Sequence, residues 1–392
     1  MNSPLRYDVV IAGAGLVGLA LAPMLARAGL SVALVDRNPV SAAPFDPDTW
    51  DARVYAISPG SATFLRAVGA WQDMSCERLA AIESMRVAGD GGAVLDFSAY
   101  DLGERALAWI VEERELRTAL LHAVRRADVQ VLDGVEFRSL SFRADAGSLD
   151  LADGRSIDAR LIVAADGQRS WVREAAGIVA TPRPYGQTAV VANFQCERAH
   201  HGRAYQWFRT DGGVLAWLPL PGRRLSMVWS APESLAAELL ELPPDSLAER
   251  VGAAGSHVLG GLVTVTSAAG FPLSFLRSPT SVALRLALVG DAAHGVHPLA
   301  GQGVNLGFGD AQALSAVLAE RGPVGDAGAP MLLERYARRR AEPVLAMQAV
   351  TDGLARLFGP PAPWLKTLRN AGISAVDRLP ALKRALASTA LR

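Results

Sequence analysis

Near the start of the chain, Tyr7-Asp8-Val9-Val10-Ile11-Ala12-Gly13-Ala14-Gly15-Leu16-Val17-Gly18 runs an apolar strand into a G-x-G-x-x-G turn. A helix-like run continues to Ala28, and a second strand, Ser31 to Val35, ends at Asp36. Gly13 permits the tight turn, Gly15 lets a pyrophosphate approach the backbone, and Gly18 lets the helix pack on the strand. Free N–H groups at the helix start support phosphate charge. Asp36 stands where a carboxylate accepts hydrogen bonds from a ribose diol. A secretory signal would also be small and apolar here, but Asp8 interrupts its basic segment, and Pro23 with the glycines breaks any membrane span. Strand, turn, helix, second strand and acid together specify a dinucleotide-binding unit.

Two later stretches extend that unit. Leu288-Val289-Gly290-Asp291-Ala292-Ala293-His294 reads as a buried strand ending at an acid, followed by a glycine-rich loop and a helix start through Gly301-Gln302-Gly303-Val304-Asn305. Asp291 can hold a ribityl hydroxyl there, while N–H groups near Gly301 to Asn305 face an anionic ligand edge. Ala159 to Ala165 is a third buried strand, ending at Asp166-Gly167.

The chain has 392 residues, half of them hydrophobic, with 39 basic and 39 acidic side chains. That length supports a large core and about two domains. Zero net charge removes a general electrostatic case for nucleic acid. Two cysteines, Cys76 and Cys196, make neither a disulfide framework nor a metal cluster, so a reducing cytoplasmic setting is expected. His294 with His297, and His200 with His201, lack companion ligands, so no metal site is expected. The fold class expected is α/β: a Rossmann-like nucleotide domain (1–72, 106–180 and 272–345), a β-rich substrate domain (73–105 and 181–271) and a helical C-terminal region (346–392).

The three nucleotide motifs, in this order and over almost the whole chain, resemble the FAD-dependent aromatic hydroxylases of the single-component flavoprotein monooxygenase class. Further phrases resemble the ubiquinone-biosynthesis hydroxylases of the UbiH/UbiF/VisC type. They include Ala52-Arg53-Val54-Tyr55-Ala56-Ile57-Ser58, Gly202 to Phe208, Leu218-Pro219-Leu220, Phe271-Pro272-Leu273, and the run Arg335 to Arg340. The resemblance implies tightly bound FAD and NAD(P)H as a transient co-substrate. Gly13, Gly15 and Gly18 would receive the FAD pyrophosphate and Asp36 the ribose, with Arg37 in the same site. Arg53 and Arg117 would approach the cofactor, Asp166 and Gly167 would serve FAD and the NAD(P)H encounter, and Asp291 would bind ribityl oxygen. Pro298 would line the flavin face, and the backbone of Gly301, Gly303, Val304 and Asn305 the pyrimidine edge. Reduction places negative charge at that edge, which preorganised N–H donors stabilise.

The activity so implied is hydroxylation of an aromatic ring, on a polyprenylphenol intermediate of ubiquinone biosynthesis. Hydroxylation of a soluble aromatic acid, a flavin-bound assembly component with little turnover, and an oxidase or dehydrogenase stand as alternatives. Alternating Val190, Ala192 and Phe194, then Ala216, Leu218 and Leu220, with Tyr205 and Phe208, read either as an apolar substrate wall or as ordinary core. No acid or base stands out. From Thr351 onward, seven basic residues (Arg356, Lys366, Arg369, Arg378, Lys383, Arg384, Arg392) interleave with apolar ones. That pattern fits contact with the inner membrane face and with other ubiquinone-biosynthesis proteins, or a packed helical cap with a solvated face.

Overall fold

The structure is a computed structural model that describes residues 4–42, 46, 48–210, 213–297, 301–322 and 324–358, with the side chains of 356–358 left aside. Pro298 and residues 359–392, which hold most of the basic tail, lie outside the described residues.

Five parallel strands form the centre of the first sheet, in the order Leu286–Leu288, Ser156–Ala164, Leu5–Ala12, Val32–Val35 and Gln130–Leu132. Strands buried on both faces need no polar alternation, which is why Val9 to Ala12 and Val32 to Val35 are unbroken apolar runs. On one face pack the helices Leu16–Arg27, Pro59–Val68, Glu113–Arg126 and Gly303–Ala319. The other face is covered by the antiparallel strands Phe137–Phe142 and Gly147–Leu151 and the short helix Trp171–Ala175.

The carboxyl ends of these strands meet at one edge. Gly13 N–H donates to Val35 O (2.8 Å), Ala165 N–H to Ala12 O (2.7 Å) and Val289 N–H to Ala164 O (3.0 Å). Three motifs separated by more than a hundred residues in sequence are thereby stitched into one crevice, where open parallel sheets bind ligands.

A second sheet of nine strands brings the two excursions together, because Arg203–Phe208 pairs in parallel with Ser84–Ala88. Its central strand, Arg183–Cys196, lies between Arg224–Pro232 and Ala269–Arg277. The boundary expected between 271 and 272 falls inside Ala269–Arg277. That strand carries the sheet onward to pair with His294–Gly295, directly beyond the Asp291 turn. Helices Glu233–Glu241 and Pro244–Ala254 cover one face of the sheet. Against the other lies a three-stranded sheet of Val54–Ile57, Ala108–Glu112 and Ala80–Ile82.

A 29-residue helix, Pro330–Phe358, spans both sheets. Tyr336 packs in the nucleotide-domain core, while Leu354 and Ala355 pack against Phe208 and Val214 of the second sheet. None of the described helices is long and apolar enough to cross a membrane.

Candidate functional site

The fingerprint glycines divide into two kinds. A Cβ on Gly13 (φ +108°) would lie 2.4 Å from Ala165 O, and one on Gly18 would lie 2.1 Å from Gly13 O. A Cβ on Gly15 would meet nothing within 4 Å. Gly13 and Gly18 are therefore required by the fold, and Gly15 opens onto a cleft of about 440 Å³. Asp36, Arg37, Asp166 and Gly167 also line that cleft.

The loop is braced from both sides. Asp36 accepts the Ala14 N–H at 2.6 Å and the Asn38 N–H at 2.8 Å. From the Glu113–Arg126 helix, Arg117 donates to Ala14 O at 2.8 Å. Asp166 accepts the Val172 N–H at 3.1 Å, and burial raises its carboxyl above the usual range against an opposing Ser170 hydrogen bond. Phe137 and Trp171 complete the cleft with rings 5.5 Å apart. Sequence reading missed both, because Phe137 lies on an antiparallel strand with no nucleotide motif.

The second half of the site surrounds Asp291. The residue is exposed, yet the protein around it is dense enough that burial raises its carboxyl, opposed by the charges of His294 and Arg53. Arg53 pairs with Glu113 at 3.0 Å and lies over the rings of Tyr55 (5.4 Å) and Phe271 (5.1 Å). Burial likewise pushes the Tyr55 phenol far above its ordinary value.

Behind the turn sits Asp310, 1% exposed, on the helix Gly303–Ala319. One oxygen accepts the Gly290 N–H at 2.8 Å and lies 2.6 Å from His294 Nε2; the other accepts Arg340 Nε–H at 2.6 Å. These partners hold its carboxyl below the usual range despite burial. Sequence reading did not reach Asp310, although an acid among Leu306, Phe308, Ala311 and Leu314 is itself a sign that a partner exists.

The loop's other end is pinned to the three-stranded sheet. Asn305 donates to Ala56 O (2.8 Å) and accepts the Ser58 N–H (3.1 Å), and a Cβ on Gly301 would lie 3.1 Å from that of Ala56. Asn305 is thus committed to the protein, with Val304 buried beside it. Gly303 begins the 17-residue helix, whose first turn packs close enough that a Cβ on Gly307 would lie 2.5 Å from the Val17 side chain and 3.3 Å from Gly290 Cα.

The expected substrate wall splits between two faces. Val190, Ala192 and Phe194 are fully buried with Trp217, Met227 and Trp229 under the covering helices, and Tyr205 stacks on Trp207 against that same core. These four are corrected to core. Strand alternation separates two faces but cannot say which one another domain covers. The nucleotide-domain side carries Ala189, Val191 and Asn193, cross-strand from Ser230, Val228 and Ser226. Ala216, Leu218, Leu220 and Phe208 are on this side, with Leu220 packed against Ala56, Ile82 and Ile110.

His200 and His297 have local partners. His200 Nε2 lies 2.8 Å from Leu220 O, and His297 Nε2 lies 3.0 Å from Gln187 Oε1. Burial lowers His297 from 6.5 to about 4, opposed by Asp352.

A family model described as an FAD binding domain matches residues 6–351. The chain belongs to this FAD-binding family. The ubiquinone hydroxylase UbiL of Rhodospirillum rubrum is 38% identical over 385 residues, covering 96% of this chain and 87% of the relative. The 3-demethoxyubiquinol 3-hydroxylase of Escherichia coli is 35% identical, covering 96% of each. Among solved structures, Pseudomonas aeruginosa PqsL in complex with 2-aminobenzoylacetate is 26% identical with a TM-score of 0.78, covering 94% of this chain and 99% of that one. The cleft fits the cofactor of the FAD-binding family at its pyrophosphate end, where Gly15 leaves room, and Asp291 follows the end of the neighbouring strand.

Two outcomes are expected. Gly18→Ala should unfold or strongly destabilise the chain, whereas Gly15→Ala should keep the melting temperature of the apoprotein and lose bound flavin, read by thermal melting after flavin removal and by visible absorbance. Equal behaviour of the two would contradict the division drawn between them. The second concerns pH. An unfolded imidazole takes up its proton near 6.5 and buried His297 only near 4, so the unfolded state binds more protons between those values and stability falls as pH drops through them. By pH 5 this group should cost about 2 kcal/mol. Urea unfolding at pH 7 and pH 5 should show a smaller difference by that amount in His297→Gln; an unchanged difference would refute the assignment.

Proposed function

We propose that the chain is an FAD-dependent monooxygenase that uses NAD(P)H and O2 to hydroxylate the ring of a polyprenylphenol, an intermediate of ubiquinone biosynthesis. The observation that carries this reading is that Arg53, close enough to Asp291 to act on its charge, lies over Phe271, which pairs with Ala189 on the sheet face that also carries Val191, Ala216 and Val228. Full-length similarity to two proteins named for ubiquinone or ubiquinol hydroxylation supports the substrate class.

Bound FAD supplies hydride acceptance and, once reduced, activation of dioxygen for transfer to an electron-rich ring. The protein's part is to hold and orient. Gly13, Gly15 and the first turn of the Leu16–Arg27 helix would take the pyrophosphate, with Gly18 allowing their close packing. Asp36 and Arg37 would meet the ribose end, and Asp166 and Gly167 the adjoining rim. Asp291 would accept from a ribityl hydroxyl. The N–H groups at Gly301, Gly303 and Val304 would stabilise charge at the pyrimidine edge, since fixed dipoles need no reorganisation. Arg53 would sit at the mouth as a cation shared between Glu113 and two rings. The face around Val191, Ala216 and Leu218 would exclude water from the ring.

We place the domain division where the sequence put it, with strand Ala269–Arg277 joining the two units. A prenylated substrate resides in lipid, so we assign the enzyme to the cytoplasmic membrane face, with the basic residues beyond Arg356 as its contact. Other ubiquinone-biosynthesis proteins are the partners this placement would bring near. A second reading, a soluble aromatic acid as substrate, draws on the similarity to PqsL, whose complex holds 2-aminobenzoylacetate.

Turnover under labelled O2, with a prenylphenol in anionic vesicles, decides between them. One labelled oxygen should enter the phenolic ring, with faster turnover in vesicles than in detergent. NAD(P)H consumption yielding peroxide alone across a range of prenylphenols would contradict the hydroxylase reading, and equal rates in both media would contradict the membrane contact.

A further inference from the structure

The long helix is anchored at two separated points, one beside the Asp291 turn and one on the residues that follow it. Its first half is tied to the nucleotide domain, with Arg340 on Asp310 and the Tyr336 hydroxyl donating to Leu288 O at 2.8 Å. Its second half reaches the loop's far end, where Gln348 donates to Leu276 O (2.8 Å) and Gly295 O (3.4 Å). Pro343 lies between the halves and removes one rung of the helix ladder.

A second chain of contacts begins one turn later on the same helix. Asp352 accepts the Tyr185 hydroxyl at 3.3 Å, Tyr185 meets the His297 ring edge-on at 4.9 Å, and His297 is bonded to Gln187. Tyr185 and Gln187 lie where strand Arg183–Cys196 loses its regular register with Ala269–Arg277, between Pro184 and Thr188. Such an irregularity re-aims side chains that a regular ladder would hold in strict alternation. Two residues further along the strand is Ala189, on the face assigned to substrate.

We infer that Tyr185, His297 and Asp352 form a latch that fixes the spacing between the flavin loop and the substrate-facing sheet, with the second half of the long helix setting its position. They are positioning residues; none is needed to touch the ring. This rests on the hydroxylase reading above, because the gap they fix is the one in which a ring would lie between flavin and sheet. His297 suits the role because burial keeps it neutral: it directs one N–H at Gln187 and presents a flat ring edge to Tyr185 without charge to solvate. A latch of this kind leaves cofactor binding alone, since the contacts of Asp291 and Gly15 lie elsewhere. What it sets is how often reduced flavin meets a correctly placed ring rather than losing its electrons to oxygen as peroxide.

The test uses the full chain loaded with FAD and two readouts. Tyr185→Phe and Asp352→Ala should keep FAD content while lowering the ratio of hydroxylated product to NAD(P)H consumed by roughly threefold to tenfold. Asp352→Asn, which keeps an oxygen acceptor for Tyr185, should restore that ratio to most of its original value. Backbone amides at 294–297 should exchange with deuterium roughly fivefold to tenfold faster in the first two variants, and near the original rate in the third. A product ratio unchanged in both Tyr185→Phe and Asp352→Ala overturns the latch even if hydroxylation itself is established. If no prenylphenol is hydroxylated by the unaltered chain, the proposed function fails separately and exchange alone decides the latch, unchanged rates overturning it.

Discussion

A single buried carboxylate organises the flavin half of this protein. Asp310 is removed from water in the middle of an apolar helix, a placement that costs several kcal/mol unless charge and hydrogen bonds are supplied around it. His294 and the Gly290 N–H supply them from the Asp291 turn, and Arg340 from the long helix. Satisfying one acid therefore fixes three things together: the left-handed turn at Gly290 (φ +58°), the seat of the Gly303–Ala319 helix, and the approach of the long helix. Asp291 inherits its position from that turn.

The two halves of the crevice differ in how they are built. The fingerprint half is steric: Gly13 and Gly18 are glycines because backbone oxygens stand where a Cβ would go. Its shape follows from parallel strands ending together. The Asp291 half is electrostatic, resting on charges that compensate one another out of water. The strand Ala269–Arg277 leaves the nine-stranded sheet and pairs with His294–Gly295, just after Asp291. The Asp291 turn and that sheet thus share backbone hydrogen bonds, and a long helix spans the joint.

Much of this was legible in the sequence for local reasons. Unbroken apolar runs announced parallel strands, and the spacing Gly13-Gly15-Gly18 before a helix announced the turn, because those features depend on neighbours in the chain. Asp36, Asp166 and Asp291 stood at strand ends and could be read as converging. What could not be read depended on partners far away. Asp310 and Arg340 are thirty residues apart on different helices, and only folding reveals that they share a charge. Val190 and Ala192 were set on the correct alternation but the wrong side, since period-two patterning is blind to which face a second layer covers. Tyr185 escaped because its function arises from a break in register, which leaves no pattern in the residues themselves.

The most direct test compares two ligands on one variant. On the proposed reading ADP would fill only the fingerprint half of the crevice, whereas FAD would also need the turn that Asp310 holds. In Asp310→Asn, fluorescence titration of apoprotein should show FAD affinity reduced about tenfold or more, as expected from losing a partnered buried charge, with ADP affinity within about twofold of the original. Undiminished FAD affinity, or an equal loss for both ligands, would contradict the claim that Asp310 organises the flavin half of the site.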